Sequence, residues 1–306
     1  MIYTCTMNPA IDYRMEFDQI HLGELNRTTY NRFSAGGKGI NVSIVLGNLG
    51  SPSKALGFMG GFTGVFLEQY LLDTYELPSS FTPIKDTTRI NVKLSEGNRE
   101  TELNAKAPVV TNEEFERFMK EFDHLRQNDI LVLAGSGVKV NEHPYEKIAK
   151  LCDERNIDFV VDVEKESLRR SLPYQPLLIK PNRYELETFF ETNIENNEEL
   201  LTYGQKLLEM GARNLIISLG KDGSYFLCKK GVYKAKAIKG DSKNPVGAGD
   251  SMVAGFLHEY QQSKDVVKAY KMAVASGTAS AFSYELASKK EIEEMLNQVE
   301  IIEVKK

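Results

Sequence analysis

Residues 244–256, Asn-Pro-Val-Gly-Ala-Gly-Asp-Ser-Met-Val-Ala-Gly-Phe, combine three small residues with one acid at the mouth of an apolar helical pattern. Gly247, Ala248 and Gly249 let main-chain N–H groups approach an anion closely, and a helix N-terminus favours negative charge. Asp250 is then held beside a place suited to the charge that develops on a phosphoryl group in transit. The pattern fits a base that takes the proton of a hydroxyl while the loop steadies that group. Helix capping is the competing reading, because Asp is a favoured N-cap.

Five other segments carry polar chemistry. Ser34-Ala35-Gly36-Gly37-Lys38-Gly39-Ile40-Asn41 is a glycine-rich turn entering a helix, with neither the spacing of a Walker A loop nor that of a dinucleotide fingerprint. Its amides suit sugar hydroxyls or a phosphate, and Lys38 adds a point charge; a tight turn with a solvated lysine is the alternative. Asp12, in Asn8-Pro9-Ala10-Ile11-Asp12, ends the first strand, where its carboxylate can accept from sugar hydroxyls or serve a turn. In Thr88–Lys93, period-two geometry puts Arg89, Asn91 and Lys93 on one face; two cations there suit a phosphate or simply solvent. In Lys180-Pro181-Asn182-Arg183-Tyr184-Glu185, Asn182 is placed as a cap and Glu185 at N3. There Glu185 can close a capping box, hold the waters of Mg²⁺, or do both. Ser218-Leu219-Gly220-Lys221-Asp222-Gly223 is a polar turn between strands that suits the phosphates of a nucleotide.

The elements that must position these residues alternate β and α. Strands are expected at Ile2–Met7, Lys54–Phe58, Ile130–Ala134, Phe159–Val163, Leu177–Ile179 and Leu215–Ser218. Helices are expected at Gly39–Leu49, Asn112–Leu125, Glu142–Glu154 and Glu198–Met210. Such alternation gives a mainly parallel sheet covered on both faces, with ligands at the carboxyl ends of the strands. Tyr13–Phe17 with Thr28–Phe33, and Ile90–Leu94 with Arg99–Asn104, read instead as a small antiparallel sheet, a lid whose two faces are both polar. Ser95-Glu96-Gly97-Asn98 is its hairpin turn. An exposed sheet often finds a partner, so a homodimer through the lid is expected. Beyond residue 249 the pattern is helical, with a last strand near Val299–Ile302.

The bulk properties narrow the field. Of 306 residues, 42% are hydrophobic, and the net charge of −5 argues against nucleic acid and anionic membranes as partners. Cys5, Cys152 and Cys228 follow no metal or disulfide spacing, and His21, His124, His143 and His258 are scattered. With no signal peptide and no membrane span, a cytoplasmic location is expected.

Taken together, and in the same order along the whole chain, residues 8–12, 36–41, 180–185, 218–223 and 247–250 resemble the motifs of the PfkB, or ribokinase-like, sugar kinases. Thr88–Lys93 and Thr101–Asn104 are similar to lid sequences of the family's 1-phosphofructokinase branch, whose sibling is the tagatose-6-phosphate kinase branch. The resemblance implies one ribokinase-like α/β domain over residues 1–306, three-layered, with a β lid from about 12–34 and 87–106. It implies ATP-dependent phosphorylation of a sugar phosphate such as D-fructose 1-phosphate, with Asp250 as base and Gly247, Ala248 and Gly249 as anion hole. Asp12, Gly37 and Asn41 would hold the sugar, and Lys38, Arg89 and Lys93 its phosphate. Lys180, Asn182, Ser218, Gly220 and Gly223 would line the ATP site, with Glu185 ordering Mg²⁺ through water. Two loops depart from the family pattern: Gly135–Val140 in place of Gly-Ser-Leu-Pro-x-Gly, and Asp162–Glu166 in place of Asp-Thr/Cys-Ser-Gly. These departures leave room for a sensor that binds without turnover.

Overall fold

The computed structural model describes residues 1–304 apart from 98 and 244. Strand β1 (Ile2–Thr6) runs straight into β2 (Ala10–Phe17), which pairs with β3 (Tyr30–Gly36) before helix α1 (Lys38–Leu49). Next come β4 (Ser53–Gly60), α2 (Gly61–Tyr75), β5 (Ser79–Ile84) and the hairpin β6 (Arg89–Glu96) and β7 (Arg99–Leu103). The middle of the chain forms α3 (Asn112–Met119), β8 (Ile130–Ala134), α4 (Pro144–Glu154), β9 (Asp158–Asp162), α5 (Lys165–Ser171), β10 (Leu178–Ile179) and α6 (Arg183–Phe190). The remainder is α7 (Asn197–Glu209), β11 (Asn214–Ser218), β12 (Ser224–Cys228), β13 (Gly231–Ala235), α8 (Ala248–Ser263), α9 (Val266–Phe282), α10 (Lys289–Leu296) and β14 (Ile301–Glu303).

Ten strands form one sheet in the order β14-β13-β12-β11-β10-β9-β8-β1-β4-β5. From β11 to β5 every pairing is parallel; β12, β13 and β14 extend it antiparallel. The apolar run that fills β8, and Phe159–Val161 within β9, are those of strands buried on both faces. Leu131 and Leu133 pack with α3, α4, α6 and α7, while Ile130 and Val132 pack with α1, α8, α9 and α10. The result is the expected three-layer α/β architecture. Because the central strands run the same way, Asn8, Gly135, Asp162, Lys180 and Leu219 all emerge at or just past one edge of the sheet.

Several expectations need correction. The pattern over Asn112–Leu125 breaks at Met119 and continues as a 3₁₀ turn over Lys120–His124. The helix expected from Glu142 starts at Pro144, whose fixed φ and missing N–H suit a first helical position. Helix α2 and strand β5 had no clear signal. Several apolar residues of α2 (Phe62, Val65, Leu72) are exposed, so its stripe is blurred, and β5 carries Pro83, which an edge strand tolerates.

The lid contains the expected four strands, in the order β3-β2-β6-β7. Its outer pairs are antiparallel, but the central pair β2–β6 is parallel. The cause is topological: β2 continues from β1 and β6 follows β5, both parallel members of the large sheet, so the two enter the lid in the same direction. Glu96 pairs with Arg99 across the expected turn, whose Asn98 lies outside the described residues. Nor are both lid faces polar. Tyr13, Phe33, Val92 and Leu103 are cross-strand neighbours on one face, while Asp12, Arg14, Ser34, Asn91 and Lys93 occupy the other. The polar face lines the cleft between lid and sheet.

Candidate active site

The cleft, of about 2510 Å³, runs along the carboxyl edge of the sheet beneath the lid and brings together every site residue expected from the sequence. Its residues fall into a group near the lid, a group at the start of α8, and a group near β11.

Helix α8 starts immediately after Gly247, whose φ of 80° is left-handed and natural for glycine. A Cβ there would meet Leu286 at 2.7 Å, so both the turn and the packing require a small residue. The first helical turn leaves the N–H groups of Gly249 and Asp250 without an intrahelical carbonyl, while that of Ser251 bonds Gly247. Asn244, which opens the motif, lies outside the described residues. Asp250 is buried, and its side chain makes no helix cap. Instead Oδ2 accepts from Asn41 Nδ2 at 2.8 Å. Burial, then repulsion from Asp162, pushes the Asp250 carboxyl up to about 6, against the pull of Asn41, Lys180 and Lys38.

Asp162 is the group that sequence reasoning left without a role. It ends β9 and is buried. Oδ1 accepts from Lys38 Nζ at 3.1 Å, and Oδ2 lies 3.6 Å from Lys180 Nζ. Burial opposes its ionisation, but Lys180 and Lys38 more than compensate and hold it below the usual carboxylate range. Burial would likewise lower Lys38, yet Asp162 and Asp250 raise it to about 12. The ammonium of Lys180 also rests on the first turn of α8: a Cβ on Gly249 would lie 2.8 Å from it. An acid at the carboxyl end of a core strand was the available signal.

Near the lid, Gly37 caps α1 at a φ of 134°, with Thr6 so close that a Cβ would meet its methyl at 2.6 Å. Asp12 is tied down from β6, accepting from Asn91 Nδ2 at 2.8 Å and pairing with Lys93 at 3.3 Å. Lys93 also lies 3.7 Å from Glu102, so its charge is shared between two acids. Arg89 differs. It donates to the carbonyls of Asn8 and Ala105 at 3.4 Å, and its buried Nε has no hydrogen-bond partner among the described residues. Asn8 Nδ2 in turn donates to Ser136 Oγ at 3.0 Å, drawing the altered loop after β8 into the same corner. Glu164 of the other altered loop caps α5 and faces the cleft.

Near β11, Asn182 and Glu185 close a reciprocal capping box, each bond 2.8 Å long. The Glu185 side chain stays exposed at the cleft. Ser218 bridges to Asn182, and Gly220 and Gly223 bracket a 3₁₀ turn that brings Gly223 against the Ala235 carbonyl. Apolar residues, among them Ile238, Val274 and Ala281, line the cleft beyond. Among the described residues no three His, Cys, Asp or Glu side chains cluster as a ready metal cage. His258 lies apart, bonded to Ser51 and Gln262.

The arrangement pairs one poised carboxylate with amides and cations suited to phosphate, which is the chemistry of phosphoryl transfer to a hydroxyl. Known proteins agree over the full length. The 1-phosphofructokinase of Bacillus subtilis (strain 168) is 42% identical over 302 residues, covering 98% of this chain and 99% of that protein. The D-tagatose-1-phosphate kinase of Bacillus licheniformis is 33% identical, covering 98% and 99%. Phosphofructokinase-2 from Escherichia coli, solved with substrates and products, superposes with a TM-score of 0.90 at 25% identity, covering 97% and 98%. The family described as pfkB family carbohydrate kinase matches residues 5–293, and the chain belongs to it.

Proposed function

We propose that the protein is a sugar-phosphate kinase that moves the terminal phosphoryl group of ATP to D-fructose 1-phosphate, giving fructose 1,6-bisphosphate and ADP. The observation that carries this reading is Asp250: a buried carboxylate at the N-terminus of α8, poised at about 6 and oriented by Asn41. At neutral pH it is mostly ionised yet basic enough to take a proton from an alcohol as the new O–P bond forms. The N–H groups of Gly249 and Asp250, with Lys180 beside them, receive the developing charge on the phosphoryl oxygens. Gly247 and Ala248 shape that turn.

Asp12, Gly37 and the polar lid face orient the sugar, and Arg89 holds the phosphate it already carries. Arg89 fits this task because its Nε is buried and unpartnered, whereas Lys93 serves Asp12 and Lys38 serves Asp162. ATP lies along Lys180, Asn182, Ser218, Gly220 and Gly223, with its base toward the apolar end of the cleft. Mg²⁺, when bound, neutralises phosphate charge; the exposed Glu185 would hold it through water, which suits a cation that retains most of its waters. The apolar outer face of the lid, with Phe33 and Leu103 exposed, suits a second copy of the chain.

A tagatose phosphate is the second acceptor worth testing, given the 33% identity to a D-tagatose-1-phosphate kinase. The experiment is a panel of free and phosphorylated ketoses ranked by kcat/KM. Fructose 1-phosphate should lead. A lead for a tagatose phosphate moves the assignment to that acceptor, and a lead for any unphosphorylated sugar overturns the role of Arg89.

A further inference from the structure

Lys38 and Lys180 reach the centre of the cleft from opposite sides. Lys38 opens α1, next to the turn that faces the acceptor, and Lys180 follows β10, next to the capping box on the donor side. Both converge on one carboxylate, at 3.1 and 3.6 Å. That carboxylate is immobile: Asp162 is buried, and its carbonyl accepts from the N–H of Gly135 at 2.9 Å, joining β9 to the loop after β8. A single negative charge between the buried Lys180 and the half-buried Lys38 makes the arrangement favourable, since without it the Lys180 ammonium would be buried without its ion-pair partner.

We propose that Asp162 is a positioning residue for phosphoryl transfer: it holds Lys38 from the acceptor side and Lys180 from the donor side on one buried carboxylate, so that both ammonium groups flank Asp250. The proposal rests on the phosphotransfer reading above. The groups facing Asp250 are Asn41 and Lys38 from α1, Asp162 from β9, Lys180 from the end of β10, and the open amides of its own helix. Asp162 is the one like charge among them, so it acts on the base directly as well as through the lysines.

Asp162→Asn keeps the shape and removes the charge. The two lysines then pull on Asp250 without opposition, and the acid limb of kcat should move from near pH 6 to lower pH by roughly one unit or more. At pH 8, where the base is ionised in both proteins, kcat should still fall, about tenfold to a hundredfold, because the ammonium groups lose their anchor. Asp162→Glu should restore part of that rate. An acid limb that stays near pH 6, together with kcat within threefold of wild type, overturns the proposal. Asp162→Asn leaves the buried Lys180 and the half-buried Lys38 without the carboxylate they share, so the double variant Lys38→Met/Asp162→Asn is measured beside it. Its loss should be far smaller than the product of the single losses, and it should refold the chain if the single variant does not. Independent, multiplicative losses sink the idea.

Asp250→Asn run in parallel separates the two readings. If that variant turns over normally, the base assignment fails. If it is inactive while Asp162→Asn behaves as wild type, only the positioning role fails.

Discussion

Asn41 offers a quantitative handle on the base. Its Nδ2 donates to Asp250 Oδ2 at 2.8 Å and favours the ionised carboxylate, opposing the burial and the repulsion that push Asp250 up to about 6. A hydrogen bond to a charged group contributes about 1.5–3 kcal/mol, and one pH unit corresponds to about 1.4 kcal/mol. Asn41→Leu, close in shape but without a donor, should therefore raise the carboxyl by roughly one to two units, to between about 7 and 8. At pH 7 the ionised fraction then drops from roughly nine-tenths to between about a half and a tenth, so kcat falls about twofold to tenfold. At pH 9 the two proteins should converge. The assay is kcat at saturation in both substrates from pH 5 to pH 9, monitored through ADP release. An acid limb that remains near pH 6, or a loss of equal size at every pH, refutes the assignment of Asn41 and Asp250 as a coupled pair.

Other perturbations probe the remaining parts of the cleft. In Gly249→Ala the new methyl lies 2.8 Å from Lys180 Nζ and displaces a buried ammonium, so KM for ATP should rise about tenfold; an unaltered KM places Lys180 away from the donor phosphates. Arg89→Ala should raise KM for fructose 1-phosphate about tenfold to a hundredfold and leave the weak turnover of free fructose almost untouched, while equal effects on both sugars deny the phosphate clamp. Phe33→Asp puts a charge on the apolar lid face, where Phe33 stacks on Tyr13 at 4.4 Å, and sedimentation should show a dimer for wild type and a monomer for the variant. A monomeric wild type removes the lid-to-lid reading.

The order of β and α segments was legible because short apolar runs such as Ile130–Ala134 in β8 alternate with longer stretches of helical spacing. The glycine-rich turns and the acid at α8 were equally visible, since their chemistry is local in sequence. What stayed hidden was long-range. Asn41 and Asp250 are 209 positions apart, and Lys38 and Asp162 are 124 apart, so spacing alone could not show that Asn41 bonds Asp250 or that Lys38 is already paired. The apolar lid face was missed for a different reason. Charged residues are spread along all four strands, and Tyr13, Phe33 and Val92 fall on one face only once the registers are known. Helix α2 escaped because its exposed Phe62 and Val65 blur the stripe that marks an amphipathic helix.

The central assertion is that Asp250 removes the acceptor proton. Rapid-quench single turnover of Asp250→Asn, beside a titration of ATP binding to the same variant, tests it most directly. Transfer should slow by about a hundredfold to ten-thousandfold while ATP binds within a few-fold of wild type, because the amide keeps the shape of the turn but cannot accept the proton. Single-turnover transfer at the wild-type rate would contradict the account.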